Sequence, residues 1–587
     1  MTLAETLVPV PVLLPLVVAA VLLAVGHALP SRVPDVVATG VAVCVCAISS
    51  VLALESRTAP LLYWFGGWTP RPGVVLGIGF GVDPASAAIA AFIGLLFAST
   101  FVFAWGFFDE VRSVFHVLFL LFLAAMQGFC LTRDLFNLFV WFEVMSVGAF
   151  ALTAYQLETS SIAGALNFTV TNSLASMVML AGVGLLYAEA GALDFEALGR
   201  AVTAAGSDDT VLIGGFCLIA LALLTKAAVV PLQFWLSDAH AVAPSPVSVI
   251  FSGAMVPLGL FGFAKIAHQV FGGSASAAAI LHGILMGLGC LTAVVGGAMA
   301  WRQRHLKRLL AFSTISHVGI MVVGLASLTA MGLAGQLAYV VGHGLVKGAL
   351  FMLVGILLAT KASVDELDLR GLGRDIWPAG IATAVAGLLL AGAPIGLLHG
   401  ATHLVEEATA PTAGGAVVAA ILFAAAITGA AVLRATGRIY LGLGPDPGDE
   451  AEQPSAEEQE KADRPLALML APVLMLLLLA LLPAAWIEDA APSAARLFAS
   501  QAAILTLSGS PGTASGFLPW ASTLVAVLLA GWALGRDRWP KLLTRTTDAL
   551  IQPLFRGLDG LHSGLVGDYV AWMIVGLAGF AAAAGLR

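Results

Sequence analysis

Long apolar runs alternate with short polar turns over almost the whole chain. A membrane-spanning helix needs about 20 mostly apolar residues. The pattern predicts sixteen such spans: 6–28, 33–54, 82–105, 114–131, 134–156, 162–188, 211–235, 244–268, 276–300, 308–327, 332–360, 378–399, 413–440, 465–487, 517–535 and 565–585. The expected fold is an all-α polytopic membrane protein. Two spans carry breaks: Pro231 lies inside the seventh, and "GAPIG" (392–396) interrupts the twelfth. A proline within a helix removes one backbone hydrogen bond. Non-helical backbone at membrane depth survives only where protein or water surrounds it. Two broken helices in comparable places of two halves mark inverted-repeat transporters.

Composition agrees with the pattern. Of 587 residues 59% are hydrophobic and 11% charged, against about 25% charged in soluble globular chains. Mean hydropathy is +0.97. The net charge of −8 says little, because most of the charge lies in a few loops; no nucleic-acid partner is expected. The 64 glycines suit helices that pack closely in lipid. Cys44, Cys46, Cys130, Cys217 and Cys290 all fall in apolar runs without a C-x-x-C pair, so no iron–sulfur cluster, metal or other cofactor is expected.

Loop charge sets the expected orientation. "WRQRHLKR" (301–308) holds four Lys or Arg, "KASVDELDLRGLGR" (361–374) three and "GRDRWPKLLTR" (535–545) four; Arg434, Arg438, Lys461 and Arg464 bracket the remaining basic loop. Two spans separate each basic loop from the next, so all four share one face, expected to be cytoplasmic, with both termini outside. The acidic stretch 444–465 reads as a disordered linker, and 538–561 as a helix lying along the membrane surface.

Charges inside spans are costly and are functional candidates by default. Glu143 lies mid-span in "DLFNLFVWFEVMSVGAFALTAY". Lys226 precedes the Pro231 break. His343 and Lys347, four residues apart, share a helix face. A weaker set, His399, His403, Glu406 and Glu407, follows the second break. A carboxylate and an amine in a medium of low dielectric each prefer neutrality, and each favours charge when the other is near. Such groups, separated by water, can pass protons laterally. Plainer readings stand beside this one: a static Glu143–Lys226 ion pair, His343 bonded to a backbone carbonyl, and structural or solvated roles for His399 and His403. Lys265, near a span end, reads as a snorkelling cation with a relay role as the alternative. Asp83 reads as a helix N-cap.

"DLFNLFVWFEVMSVGAFAL", "KAAVVPLQFWLSDAHAVAPSPVSVIFSG", "LKRLLAFSTISHVGIM" and "HGLVKGALFM" resemble the proton-conducting antiporter-like family over residues 80–440. That family includes the A and D subunits of Mrp-type Na⁺/H⁺ antiporters and the antiporter-like membrane subunits of respiratory complex I and of membrane-bound hydrogenases; the Mrp D branch is most similar. The resemblance implies a fourteen-helix core with two inverted five-helix repeats. The organisation expected is N-terminal helices over 1–110, repeats over 111–270 and 271–443, the linker over 444–465, and C-terminal helices with the surface helix over 466–587. It further implies a Glu143–Lys226 pair and a central Lys347 with His343 beside it. The chain departs from the pattern twice. Pro257 stands where relatives usually carry a lysine, and Thr402, beside His403, stands where they carry a charged exit residue. His403, Glu406 or Glu407 are the candidates to replace it.

The function implied is proton translocation within a complex of several membrane subunits in a bacterial cytoplasmic membrane, with Na⁺ as the candidate exchanged ion. The alternatives are a proton-pumping arm of a complex I-like or hydrogenase assembly, an energising subunit for inorganic-carbon uptake, and a scaffold whose channel has decayed. The chain has no redox ligands of its own, so any enzymatic step would lie on partners.

Overall fold

A computed structural model describes residues 3–30, 32–68, 77–108, 113–205, 209–272, 275–410, 414–444, 465–499, 518–540 and 566–585, with 549, 553 and 557 singly. The helices in chain order are α1 (Leu3–Leu7), α2 (Val10–Val25), α3 (Arg32–Glu55), α4 (Pro84–Phe107), α5 (Ser113–Leu131), α6 (Leu135–Thr153), α7 (Thr159–Ala190) and α8 (Phe195–Ala205). Then follow α9 (Thr210–Lys226), α10 (Phe234–Val242), α11 (Ser245–Ile250), α12 (Val256–Gln269), α13 (Ala275–Arg302), α14 (Leu306–Ala326) and α15 (Ala330–Lys361). The last are α16 (Trp377–Leu390), α17 (Gly396–Thr409), α18 (Gly415–Leu441), α19 (Leu466–Ala480), α20 (Ala484–Phe498), α21 (Leu518–Leu534) and α22 (Val566–Gly585).

Eleven helical segments among the described residues are long and apolar enough to cross a membrane, or twelve if the pair α19–α20, bent by 74°, counts as one. The chain is a polytopic all-α membrane protein. Each apolar run read from the sequence contains a helix. The differences lie at the breaks, which shorten α9 and α16, and at the corner that turns α20 away from α19. Residues 445–464 of the acidic linker and most of the stretch 538–561 lie outside the described residues. A small hairpin, β1 (Leu61–Trp64) with β2 (Gly79–Val82), pairs antiparallel with Leu61 opposite Val82. Asp83 then caps α4, its Oδ1 accepting from the Ala85 and Ser86 amides at 2.9 Å.

The fold repeats with a constant offset. Helices α7 and α15 are both 32 residues long. Thr159 to Ala330 and Ala190 to Lys361 are each 171 residues. Leu135, which opens α6, and Leu306, which opens α14, are also 171 apart. The salt bridges obey the same spacing: Arg133 to Asp194 and Arg304 to Asp365 both span 61 residues and both close at 2.6 Å. Five helical passages, α6, α7, the broken α9–α10, α11–α12 and α13, separate the openings of the two units.

Helices α13 and α14 meet through glycine. A Cβ on Gly319 would lie 2.3 Å from the Ala293 amide nitrogen, and one on Gly296 2.4 Å from that of Ser316. Small residues at such crossings let backbones touch, which is how helices associate in lipid where the hydrophobic effect gives no preference.

Candidate functional site

Both predicted breaks are present. Helix α9 stops at Lys226, and the chain runs irregularly to Gln233 before α10 begins. Pro231 cannot donate to the ladder, so carbonyls in the preceding turn need other partners. At the break the Thr225 carbonyl accepts from the Ala228 amide at 3.0 Å and from the Trp235 indole at 2.9 Å. Thr292 Oγ1 on α13 accepts from the Val230 amide at 3.1 Å. In the second unit α16 ends at Leu390 and α17 starts at Gly396, with Gly392 and Gly396 at φ of 83° and 80°. Glycine takes that left-handed conformation at no steric cost.

Lys226 is fully buried at the end of α9. Its ammonium donates to Ser146 Oγ at 2.6 Å and reaches Asn172 Oδ1 at 3.4 Å. It also stands 4.7 Å from the centre of the Phe142 ring and 5.8 Å from that of Phe168. Ser146 lies three residues beyond Glu143 on α6, on the same side of the helix. The expected pair is therefore not a direct ion pair. Lys226 is held by a hydroxyl, an amide and two aromatic faces, while Glu143 acts on it through space. The buried Oε1 of Glu143 has no hydrogen-bond partner among the described residues.

Lys347 is equally buried, midway along α15. Its ammonium donates to the Leu310 carbonyl at 2.9 Å and to the Ser313 hydroxyl, both on α14. Proximity through the fold brings three further polar side chains near it. His343 is buried with neither ring nitrogen hydrogen-bonded among the described residues, so it is not tied to a backbone carbonyl. Its ring centre is 5.3 Å from that of His317, which bonds Tyr339 Oη at 2.8 Å and Thr428 Oγ1 at 3.0 Å. His240 on α10 stacks on Phe351 at 4.7 Å, within electrostatic reach of Lys347 and Lys307, and its two ring nitrogens are likewise unbonded among the described residues.

His240, Lys307 and His317 were not singled out from the sequence, although each sits in a segment with the family pattern. The repeat offset would have found His317. Ser146 and His317 are 171 residues apart, and so are Asn172 and His343. The two polar partners of Lys226 in the first unit thus correspond to the two histidines of the second.

Beyond Tyr339 a cavity of about 330 Å³ is lined by Thr402, His399, His403, Glu406 and Glu488 among others. Three of the four weaker candidates thus gather in one place; Glu407 is not among the lining residues. His403 Nδ1 lies 3.3 Å from Glu488 Oε1 on α20. Thr402 donates to the Leu398 carbonyl at 2.9 Å. Lys265 is placed apart from this chain of groups. It does not snorkel: its buried ammonium donates to the Cys130 and Thr132 carbonyls at 2.5 and 2.7 Å, closing the C-terminal end of α5. Pro257 lies near the start of α12 and adds no polar group between Lys226 and Lys347.

Two groups outside the spans show how the ends of the repeats are fixed. Burial alone would raise the Glu196 carboxyl, but hydrogen bonding and attraction from Arg133 together with Arg200 hold it below the usual carboxylate range. His305 caps α14, accepting from the Arg308 amide at 3.4 Å. Burial, followed by repulsion from Arg308 and Lys307, pushes its imidazole down to about 3. Among the described residues no three His, Cys, Asp or Glu side chains are grouped as metal ligands.

The family model described as NADH:quinone oxidoreductase/Mrp antiporter, transmembrane, matches residues 132–428. An N subunit of NADH-quinone oxidoreductase from Desulforudis audaxviator is 30% identical over 474 residues, covering 79% of this chain and 93% of that one. A D subunit of a Na(+)/H(+) antiporter from Alkalihalophilus pseudofirmus is 29% identical over 378 residues, covering 63% and 73%. Among solved structures, a chain of the Mrp complex from Dietzia sp. superposes with a TM-score of 0.73 at 24% identity, covering 85% of this chain and 98% of its own. A chain of the archaeal membrane-bound sulfane sulfur reductase gives 0.73 at 23%, covering 84% and 99%. These two establish the shared fold. By the extent of the family match and of the NADH-quinone oxidoreductase relative, the chain belongs to the NADH:quinone oxidoreductase/Mrp antiporter transmembrane family.

Proposed function

We propose that the chain is the proton-translocating subunit of a multisubunit Mrp-type cation/proton antiporter in a bacterial cytoplasmic membrane. Its relatives named as antiporter subunits of the D type support this assignment. The observation that carries it is the setting of the two buried lysines. Hydroxyl, amide and carbonyl oxygens hold Lys226 and Lys347, and among the described residues no carboxylate is in contact with either. A buried lysine locked to a carboxylate keeps its proton, because the pair offsets the cost of burying each charge. A buried lysine held by neutral groups can be charged or neutral, and a distant charge is enough to tip the balance.

In this reading Glu143 takes up or releases a proton and so biases Lys226. Lys347 is the central station, with His343 and His240 beside it and unbonded among the described residues. His317 and Tyr339 continue the line towards the His399, His403 and Glu406 cavity. Pro257 leaves the segment between Lys226 and Lys347 without a charged side chain of its own, and His240 is the group that bridges it. The repeats, assigned to 111–270 and 271–443, each contribute one lysine and one broken helix. Exchange for Na⁺ would require the other membrane subunits of the complex.

The test is antiport in everted vesicles carrying the whole complex. Glu143→Ala and Lys347→Ala are each expected to abolish ΔpH-coupled transport. Parent rates in both variants would refute the relay. The NADH-quinone oxidoreductase relative, whose match covers 79% of this chain, favours a second reading: a proton-pumping membrane arm of a redox complex. Purification of the native complex separates the two. Co-purifying iron–sulfur or nickel subunits would support the redox arm, and small hydrophobic subunits alone the antiporter.

A further inference from the structure

We propose that Glu488, on the bent C-terminal pair and outside the matched region 132–428, is the terminal carboxylate of the proton path. This rests on the proton-translocation reading above and adds the residue through which protons reach the surface.

The far half of the path lacks a charged residue at Thr402, whose hydroxyl is committed to the Leu398 carbonyl. A carboxylate reaches the same cavity from a different element. Helix α20 turns by 74° from α19 and packs against α15 and α17. The approach depends on two glycines of α17. A Cβ on Gly396 would lie 2.3 Å from the Ala480 carbonyl oxygen, and one on Gly400 2.9 Å from that of Ala484. Any side chain there would push the corner away, and Glu488 with it. With glycine in both places, Glu488 Oε1 comes to 3.3 Å from His403 Nδ1.

The pair stands between a buried line and the chain's surface. Inside the cavity, Tyr339 is buried and bonded to His317, which faces His343, unbonded among the described residues. Outside, the side chains of His403 and Glu488 are 44% and 32% exposed. This end is far from the basic loops: Val405 of α17 packs on Gly324 and Gly335, at the ends of α14 and α15 opposite His305 and Lys361. A proton arriving from the cavity converts the Glu488 carboxylate to the acid, which releases the same proton to water; no other bond changes. The His403 imidazole beside it can accept a proton at one ring nitrogen and donate one from the other, which suits exchange with the cavity.

The experiment uses the complete complex in everted vesicles, with co-purification of the other subunits as the measure of assembly. Glu488→Gln is expected to slow ΔpH-coupled transport at least fivefold, and Glu488→Asp to retain half or more. Parent rates in Glu488→Gln, with Lys347→Ala inactive, would overturn the exit assignment and leave the relay standing. Parent rates in both would overturn both. Should Glu488→Gln lower assembly, Glu488→Cys treated after assembly decides the matter, with the parent's own cysteines treated alike as control. Carboxymethylation by iodoacetate should restore transport, and carbamidomethylation by iodoacetamide should not. Equal effects of the two adducts would refute the role of the charge.

Discussion

Ser146→Ala removes the shortest bond to the Lys226 ammonium, 2.6 Å from the hydroxyl oxygen. A hydrogen bond to a charged group contributes about 1.5–3 kcal/mol. What remains is the Asn172 oxygen at 3.4 Å and the Phe142 ring at 4.7 Å. A desolvated cation–π contact is worth about 0.5–2 kcal/mol, so these retain part of the support and the loss falls near the lower figure. Because 1.36 kcal/mol is tenfold, any step that needs Lys226 charged should slow about tenfold. The serine hydroxyl also donates to Phe142 O within α6, a carbonyl that keeps its helical partner, so folding should be little affected. The assay is respiration-driven ΔpH in everted vesicles, read by dequenching of a pH-sensitive dye on cation addition. Ser146→Thr keeps a hydroxyl and should remain near the parent. If Ser146→Ala transports at the parent rate while Lys226→Ala is inactive, this cradle is not what holds the working lysine.

Trp235→Phe removes the indole donor from the Thr225 carbonyl, which keeps the Ala228 amide at 3.0 Å, so the cost should be that of one hydrogen bond, about 0.5–1.5 kcal/mol; the purified complex should melt lower in a thiol-dye assay, and an unchanged midpoint would contradict the account of the break. Gly319→Ala drives a methyl against the Ala293 backbone and should cost about 1–3 kcal/mol by overpacking, whereas Gly283→Ala, with open space around it, should be silent in the same assay. His305 binds its proton far less readily folded than unfolded, so below its ordinary value near 6.5 the unfolded chain takes up more protons. Stability should therefore fall as pH drops from about 6.5 towards 3, and His305→Asn, which keeps an N-cap acceptor without titrating, should flatten that slope; parallel slopes would exclude the imidazole as the cause.

The spans were legible because bilayer thickness imposes one length on every helix, and 59% hydrophobic residues leave few other solutions. The breaks were legible too, since Pro231 and the two glycines of "GAPIG" leave no regular alternative. What the chain did not reveal in advance depends on through-space proximity. That Ser146 rather than Glu143 touches Lys226 follows from how α6 and α9 are each set against α7, which no local pattern encodes. Glu488 reads as an ordinary end-of-span residue until the corner at Pro483 folds it back on α17. Most of helix α20 falls outside the predicted spans because Glu488, Asp489 and Arg496 interrupt its apolar pattern. His240 and His317 were hidden differently: a lone histidine in an apolar run is more often structural, and only the burial of Lys347 among them gives them a role.

The central claim is that the two buried lysines carry protons across the membrane. Its most direct measurement is proton flux into proteoliposomes holding the purified complex, followed by an entrapped pH dye. Lys226→Ala and Lys347→Ala complexes, each assembled with its full set of subunits, are predicted to show no cation-coupled flux above empty liposomes. Flux at the parent rate through either complex would contradict the account.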